Sequence, residues 1–231
     1  MKILDHIPVR LDFEEILKRL HVDKNSDDSD AVQKLIESIQ HVINPKAVYE
    51  ASYVEHKDEN TLNISGIRFT SSILKANLDG IERVFPYIAT CGKELDEIEI
   101  PPDDFLKQFW LDTIKEMALR DSIKHLRDHL KKEYALGQIS SMNPGSLEDW
   151  PITQQVQLFS IFGNPEDLIG VRLTDSFLMV PTKSVSGIHF PTEVKFESCQ
   201  LCPRKECPSR KAPYDKELAK NYEKPNVCKL L

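Results

Sequence analysis

Ala47-Val48-Tyr49-Glu50-Ala51-Ser52-Tyr53-Val54 and Leu62-Asn63-Ile64-Ser65-Gly66-Ile67-Arg68-Phe69 flank the polar stretch His56-Lys57-Asp58-Glu59-Asn60. Residues 47–54 and 62–69 are short and rich in Val, Ile, Tyr and Phe, and the intervening charges cannot be buried together. That pattern predicts an antiparallel strand pair. Immediately upstream the hydrophobic period is different. Val32, Leu35, Ile36, Ile39, Val42 and Ile43 recur at helical spacing until Pro45, which cannot continue a helix. The change from one period to the other near residue 46 is the first fact about the fold.

Working outward, Asp12 is placed to cap a short N-terminal helix that turns Ile16, Leu17 and Leu20 inward. Asn25-Ser26-Asp27-Asp28 is a polar loop before the second helix. Downstream, Val84-Phe85-Pro86-Tyr87-Ile88-Ala89-Thr90 predicts a strand that opens into Cys91-Gly92. The longest regular segment covers roughly 104–136. Phe105, Phe109, Ile114, Met117, Ala118, Leu126 and Leu130 fit one broad face, and Gly137 is placed to end it. At a rise of ~1.5 Å per residue such a helix reaches about 48 Å, long enough to predict a bend or a break. Pro151 opens a helix over 152–162 that Gly163 closes. Strands are predicted at 169–174, 177–180 and 184–190. Helices, strands, a long helix, a helix and strands again indicate α+β, a twisted antiparallel sheet with flanking helices, rather than alternating βα units.

With 231 residues, 40% hydrophobic and 29% charged, the chain has enough apolar content for a core and too much for disorder. No apolar run approaches the ~18–20 residues that span a bilayer. Met1-Lys2-Ile3-Leu4-Asp5-His6 carries an acid where a signal peptide would be apolar, so the cytoplasm is expected. A formal charge of −7 argues against a nucleic-acid surface over the whole chain. The eight glycines are scattered singly, leaving no phosphate loop, and no hydrolase nucleophile elbow is present. His125 and His129 stand at i, i+4 on the long helix without a zincin glutamate, and read as a solvated face. Glu94, Asp96, Glu97 and Glu99 also read as a solvated acidic face.

The charge is uneven. Residues 195–231 hold nine Lys/Arg against five Asp/Glu, and four of the five cysteines fall there. The chain therefore divides into an α+β domain over 1–194, with a helical part at 1–46, and a cysteine-rich tail over 195–231. The spacing is Cys199-x2-Cys202-x4-Cys207-x20-Cys228. A C-x2-C pair brings two sulfurs within reach of one metal. Cys202-Pro203 and Cys207-Pro208 resemble the Cys-Pro pairs of ferredoxin-type loops, although the overall spacing differs. Arg204, Lys205, Arg210 and Lys211 favour thiolate and offset the charge of a thiolate-ligated centre. Spacing leaves an iron–sulfur cluster, structural zinc and free thiols all open. Cys91, alone in a Thr-Cys-Gly turn, reads as a small buried residue.

Three further strings occur in a telling order: Met142-Asn143-Pro144-Gly145-Ser146; Ile169-Gly170-Val171-Arg172-Leu173-Thr174-Asp175-Ser176-Phe177-Leu178-Met179-Val180-Pro181; and Lys183-Ser184-Val185-Ser186-Gly187. Together they resemble the activation (reactivation) domain of vitamin B12-dependent methionine synthase. That family has a Pro-Gly loop, a helix, a Leu-Thr-x-Ser-x-x-Met-x-Pro segment and a Ser-Val-Ser-Gly segment at similar spacings. Ile88-Ala89-Thr90-Cys91-Gly92-Lys93-Glu94-Leu95-Asp96-Glu97 and Phe109-Trp110-Leu111-Asp112 look like free-standing relatives of that domain. The resemblance covers about residues 60–190.

The resemblance implies a twisted antiparallel sheet with flanking helices that binds S-adenosylmethionine and docks a corrinoid-binding methyltransferase. The partner presents cobalamin, and an electron donor restores the oxidised cobalt. Met142, Asn143, Pro144, Gly145, Ser146, Ser184, Val185, Ser186 and Gly187 would line the ligand groove, and His189 beside them would face the ligand or pack. The departures are specific. Where the family carries Arg and Tyr around its Pro-Gly loop, this chain has Ser141 and Ser146, and its paired tyrosines give way to residues near Lys195-Phe196-Glu197. Loss of a charge-assisted carboxylate clamp weakens binding by about 1.5–3 kcal/mol. The tail, absent from the synthase domain, implies a cluster that relays an electron. The rival expectation is a non-catalytic docking module with a zinc-stiffened tail.

Overall fold

The computed structural model describes residues 1–58, 60–193, 196–207 and 210–223. In chain order the elements begin with β1 (Lys2–Leu4), α1 (Phe13–Leu20), α2 (Asp27–Ile39), β2 (Lys46–Tyr49), β3 (Ser52–Lys57), β4 (Thr61–Ile64), β5 (Ile67–Thr70) and α3 (Ser72–Asn77). They continue with β6 (Arg83–Thr90), α4 (Phe105–Glu133), β7 (Gln138–Met142), α5 (Gln155–Ser160) and α6 (Pro165–Ile169). The last are β8 (Arg172–Leu173), β9 (Met179–Val180), β10 (Ser184–Thr192) and α7 (Lys216–Glu223). The principal sheet runs β1-β2-β6-β3-β4-β5, with β10 pairing both β6 and β7. The pairs β3–β4, β3–β6, β4–β5, β7–β10 and β8–β9 are all antiparallel. This is the α+β class expected from the sequence.

The chain forms two compact units. The first comprises residues 1–48, 88–129 and 164–185; the second comprises 49–87, 130–163 and 186–231.

In the first unit, Asp12 accepts the Glu15 N–H at 2.8 Å and starts α1, while Ser26 caps α2 in the same way. Ile16, Leu17, Leu20, Val32, Leu35 and Ile39 pack with Trp110, Leu111, Ile114, Met117 and Ala118 of α4 into one core. The second helix ends at Ile39, earlier than the period suggests. Val42, in the turn that follows, and Ile43 after it still donate their N–H groups to the Ile39 carbonyl. Residues 165–169 form α6, a helix the sequence pattern does not announce, and it takes the first residue of the strand predicted over 169–174. Asn164 caps it with Pro165 at its first position, and Gly170 leaves it with φ 73°. The strands that follow, β8 and β9, are two residues each.

The long helix is one uninterrupted element of 29 residues, about 44 Å at the standard rise, so it does not break. Asp104 caps it, accepting the Lys107 N–H at 3.0 Å. Its last turn closes at Ala135 (φ 50°), ahead of Gly137. Ile114, Met117, Ala118, Leu126 and Leu130 are buried as the period predicts, but Phe105 and Phe109 are 74% and 51% exposed. Periodicity defines a face; it does not say how far along the helix that face is covered.

Residues 47–54 prove to be two strands interrupted at Glu50-Ala51, and in the second unit residues 62–69 are a hairpin. Ser65 (φ 52°) and Gly66 (φ 73°) supply the paired left-handed residues that a two-residue hairpin turn requires. Leu62, Ile64, Phe69, Leu74, Leu78, Trp150, Leu158, Ile188 and Phe190 form its core, which extends to Phe196, Leu201 and Ala219. The outermost strand, β5, is met by a side chain. Gln154 accepts the Thr70 N–H at 2.9 Å and donates to the Thr70 carbonyl at 2.6 Å, the pairing a neighbouring strand would otherwise make. The region 152–162 begins as a tight 3-10 turn before α5, and Gly163 (φ 71°) closes it.

Candidate functional site

Antiparallel pairing of β7 with β10 sets the Pro-Gly loop beside the Ser-Val-Ser-Gly strand, with Met142 opposite Ile188 and Ser141 opposite His189. Asn143, the first residue past β7, crosses to the strand. Its amide donates to the Ser186 carbonyl at 2.7 Å and to the Tyr87 hydroxyl at 2.9 Å. The Tyr87 hydroxyl shares a further hydrogen bond of 3.1 Å with Ser141. The Tyr87 ring lies flat on His189, centroids 4.0 Å apart and planes 4° from parallel.

Gly187 makes this junction possible. A Cβ there would stand 2.4 Å from Asn143 Nδ2 and 2.5 Å from the Met142 carbonyl oxygen, distances no side chain occupies. Gly145 forms the tip of the bend at φ 81°, and its N–H donates to the Trp150 carbonyl at 2.7 Å.

Of the residues predicted to line a groove, Met142, Pro144, Ser186 and Gly187 are buried, Asn143 is half-buried, and Gly145 and Ser146 are exposed. The Ser186 hydroxyl is turned inward and donates to Gln155 Oε1 at 2.8 Å. In the first unit, Ser184 likewise donates to Thr90 Oγ1 at 2.9 Å, while Val185 is half-buried. Both serines thus spend their donors on the protein. What the loop offers to solvent is Gly145, Ser146 and the edge of Asn143. Tyr87, legible only as a strand residue, and Gln155 position Asn143 and Ser186. Nothing in a strand pattern marks which tyrosine will meet a loop more than fifty residues away.

His189 is 1% exposed and packs under Tyr87. Glu94 is held partly inward, accepting from Asn44 Nδ2 at 3.0 Å, and Asp96 pairs with Lys115 at 2.5 Å, so the acidic run is not simply a solvated face. Cys91 is fully buried in the first core, and burial, reinforced by Asp96, pushes its thiol up to about 12. It is chemically quiet.

The tail thiols differ. Cys199, Cys202 and Cys207 are free and half-buried; Cys199 sits in a 3-10 turn at Ser198–Gln200, and Cys202 and Cys207 lie on the loop that follows it. Among the described residues no three His, Cys, Asp or Glu side chains are gathered as a metal-holding group. Cys228, Lys195 and Pro208 lie outside the described residues, as does Glu59 of the 56–60 connection. Among the described residues no helix is long and apolar enough to cross a membrane.

No family model matches the sequence. No curated protein matches it either. Among solved structures the fold is similar to that of the MetH reactivation domain, crystallised with AdoHcy. The TM-score is 0.54 and the identity 15%, over 85% of this chain and 81% of that one. The architecture is therefore of the methionine synthase reactivation domain type: mixed α+β, antiparallel sheet, flanking helices.

Proposed function

We propose that the protein is an accessory to the reductive reactivation of a corrinoid-dependent methyltransferase. The observation that carries this is the combination of a reactivation-domain fold with a Pro-Gly loop and a Ser-Val-Ser-Gly strand in direct contact. The solved relative is a domain bound to AdoHcy, the demethylated product of S-adenosylmethionine. By analogy, S-adenosylmethionine would lie against Met142 to Ser146 and Ser184 to Gly187, and would supply the methyl group that traps reduced cobalt. The chain's own contribution is positional. Tyr87, Asn143 and Gly187 fix the bend, and Gly145 and Ser146 present backbone groups and one hydroxyl where a ligand can approach.

A partner of cobalamin-binding type follows from the same analogy. Cys199, Cys202 and Cys207, with Cys228, would hold an iron–sulfur cluster or zinc. The three described thiols suit such an ion in chemistry, being free and on one loop.

The test is a rate. A corrinoid methyltransferase loaded with cob(II)alamin is titrated with a one-electron donor and S-adenosylmethionine, with and without this protein. Acceleration of cobalt(II) loss supports the assignment; an unchanged rate refutes it. A second reading, a docking module without redox or methyl chemistry and with a structural zinc tail, is favoured by the inward commitment of the Ser184 and Ser186 hydroxyls. It predicts a complex with the methyltransferase, an unchanged rate, and no retention of S-adenosylmethionine in equilibrium dialysis at millimolar ligand.

A further inference from the structure

The cysteine loop is assembled around a single side chain. The Arg210 guanidinium donates to the carbonyl oxygens of Cys199 (3.0 Å), Ala212 (3.1 Å), Cys202 (3.4 Å) and Arg204. Its own N–H donates to the Cys207 carbonyl at 3.1 Å. Arginine usually turns its five donors toward a carboxylate or phosphate. Here they bracket the backbone of the segment that carries all three described tail thiols.

The rest of the loop is fixed at both ends. Phe196 donates its N–H to Ser140 Oγ at 2.9 Å, and Glu197 and Gln200 form a reciprocal capping box. Asp215 N–H reaches the Gln200 carbonyl at 2.9 Å, and Phe196 and Leu201 enter the core of their unit. One backbone donor already faces sulfur: the Lys211 N–H lies 3.4 Å from Cys199 Sγ. Such donors are the usual outer partners of metal-bound thiolates.

Small thiolate–metal modules ordinarily use the metal as the hub, and are unfolded without it. In this loop the hub is a cation of the chain itself. We infer that Arg210 is a positioning residue that organises the Cys199–Cys207 loop before any metal arrives, so that a thiophilic divalent ion adds to a preformed loop and does not fold it. Cys199, Cys202 and Cys207 would then hold the ion as thiolates, their protons released to solvent; the three thiols are not gathered in the metal-free loop, so what Arg210 sets in advance is the backbone and not the ligand geometry. The guanidinium offsets the negative charge of the thiolates. This rests on the metal reading of the tail given above.

The experiment uses the full reduced chain under anaerobic conditions and two readouts. Cobalt(II) titration reports ligation through the sulfur-to-cobalt charge-transfer absorbance in the near ultraviolet. Amide hydrogen exchange of peptides covering 196–215, with and without zinc(II), reports loop order, with the β3–β4 amides as control for the fold. The expected result is a cobalt band lost on Cys199→Ser with Cys202→Ser, and metal-free loop protection that zinc raises by less than about threefold. Arg210→Met should speed metal-free exchange at least tenfold, weaken zinc at least tenfold, and regain protection when zinc saturates.

If Arg210→Met does not fold, Arg210→Lys takes its place. It keeps the charge but lacks the fork that reaches four carbonyls, and the same losses are expected. A metal-free loop that exchanges freely and is protected only by zinc overturns the inference while the metal site stands, as does Arg210→Met with unchanged exchange. Absence of any cobalt band in the parent protein overturns the metal reading and the inference together.

Discussion

Two crossings of the backbone in the second unit are closed by opposite means. Where the Pro-Gly loop meets β10, the chain closes because a side chain is missing: Gly187 lets Asn143 and the Met142 carbonyl come far inside the contact distance that a Cβ would require. In the cysteine loop it closes because a side chain is present, the Arg210 fork holding four carbonyls. Closure by absence leaves little room, and the neighbouring polar groups satisfy one another: Asn143 with Ser186 and Tyr87, and Ser186 with Gln155. Closure by presence consumes one residue and leaves three thiols half-exposed and uncommitted to any disulfide. The first arrangement suits fixed geometry; the second suits chemistry.

The contrast can be broken most directly at its tightest point. Gly187→Ala forces the loop and strand apart and should lower stability by about 3 kcal/mol, read by denaturant unfolding. Alkylation of the tail thiols in native buffer should be unaffected. If the tail becomes faster to react, the two closures are not independent. Asn143→Ala should cost about 2 kcal/mol, because it leaves the buried Ser186 carbonyl without this donor and the Tyr87 hydroxyl with one partner fewer. A thermal midpoint within a degree of the parent would show the amide to be dispensable.

Cys91 sharpens what availability means for a thiol. Its folded value is raised from an ordinary 9.0 to about 12, so the folded state holds its proton more tightly than the unfolded chain. The stability this contributes is fully present below 9 and is lost as pH climbs from 9 toward 12, amounting to about 1 kcal/mol by pH 10. The parent should therefore lose about that much more than Cys91→Ala between pH 8 and pH 10. Equal losses would place the pH dependence elsewhere. The smallest effect on stability is expected from Cys199→Ser, within about 0.5 kcal/mol in the metal-free chain, since the side chain is half-exposed and Arg210 holds the backbone. In iodoacetamide mapping at pH 8 the tail cysteines should be modified and Cys91 spared until the protein unfolds.

Much of the fold is legible in the sequence, because its signals are local. Asp12 announces a helix start with its own side chain, and the change of hydrophobic period near residue 46 separates helix from strand; Ser26, read only as part of a polar loop, proves to cap α2, which already includes Asp27 and Asp28. Signals fail where a neighbour decides. Phe105 and Phe109 have the right spacing for a core face but lie on the first turns of α4, where they remain exposed. The hairpin at Ser65-Gly66 is hidden within an apolar run that reads as one strand. At the candidate site, the order of the Pro-Gly and Ser-Val-Ser-Gly strings anticipates their meeting. The inward turn of the two serines depends on Thr90 and Gln155, which no spacing rule connects to them. Arg210 is legible as a charge near cysteines, but a bracket of backbone carbonyls has no sequence pattern.

The carboxamide of Gln154 on Thr70 has its own consequence for life at high concentration. An outermost β-strand is a template on which a foreign chain can zip itself, the first step of fibril growth. By occupying the rung at Thr70, the last residue of β5, with a group that mimics a peptide, the molecule closes one end of that template to an incoming strand.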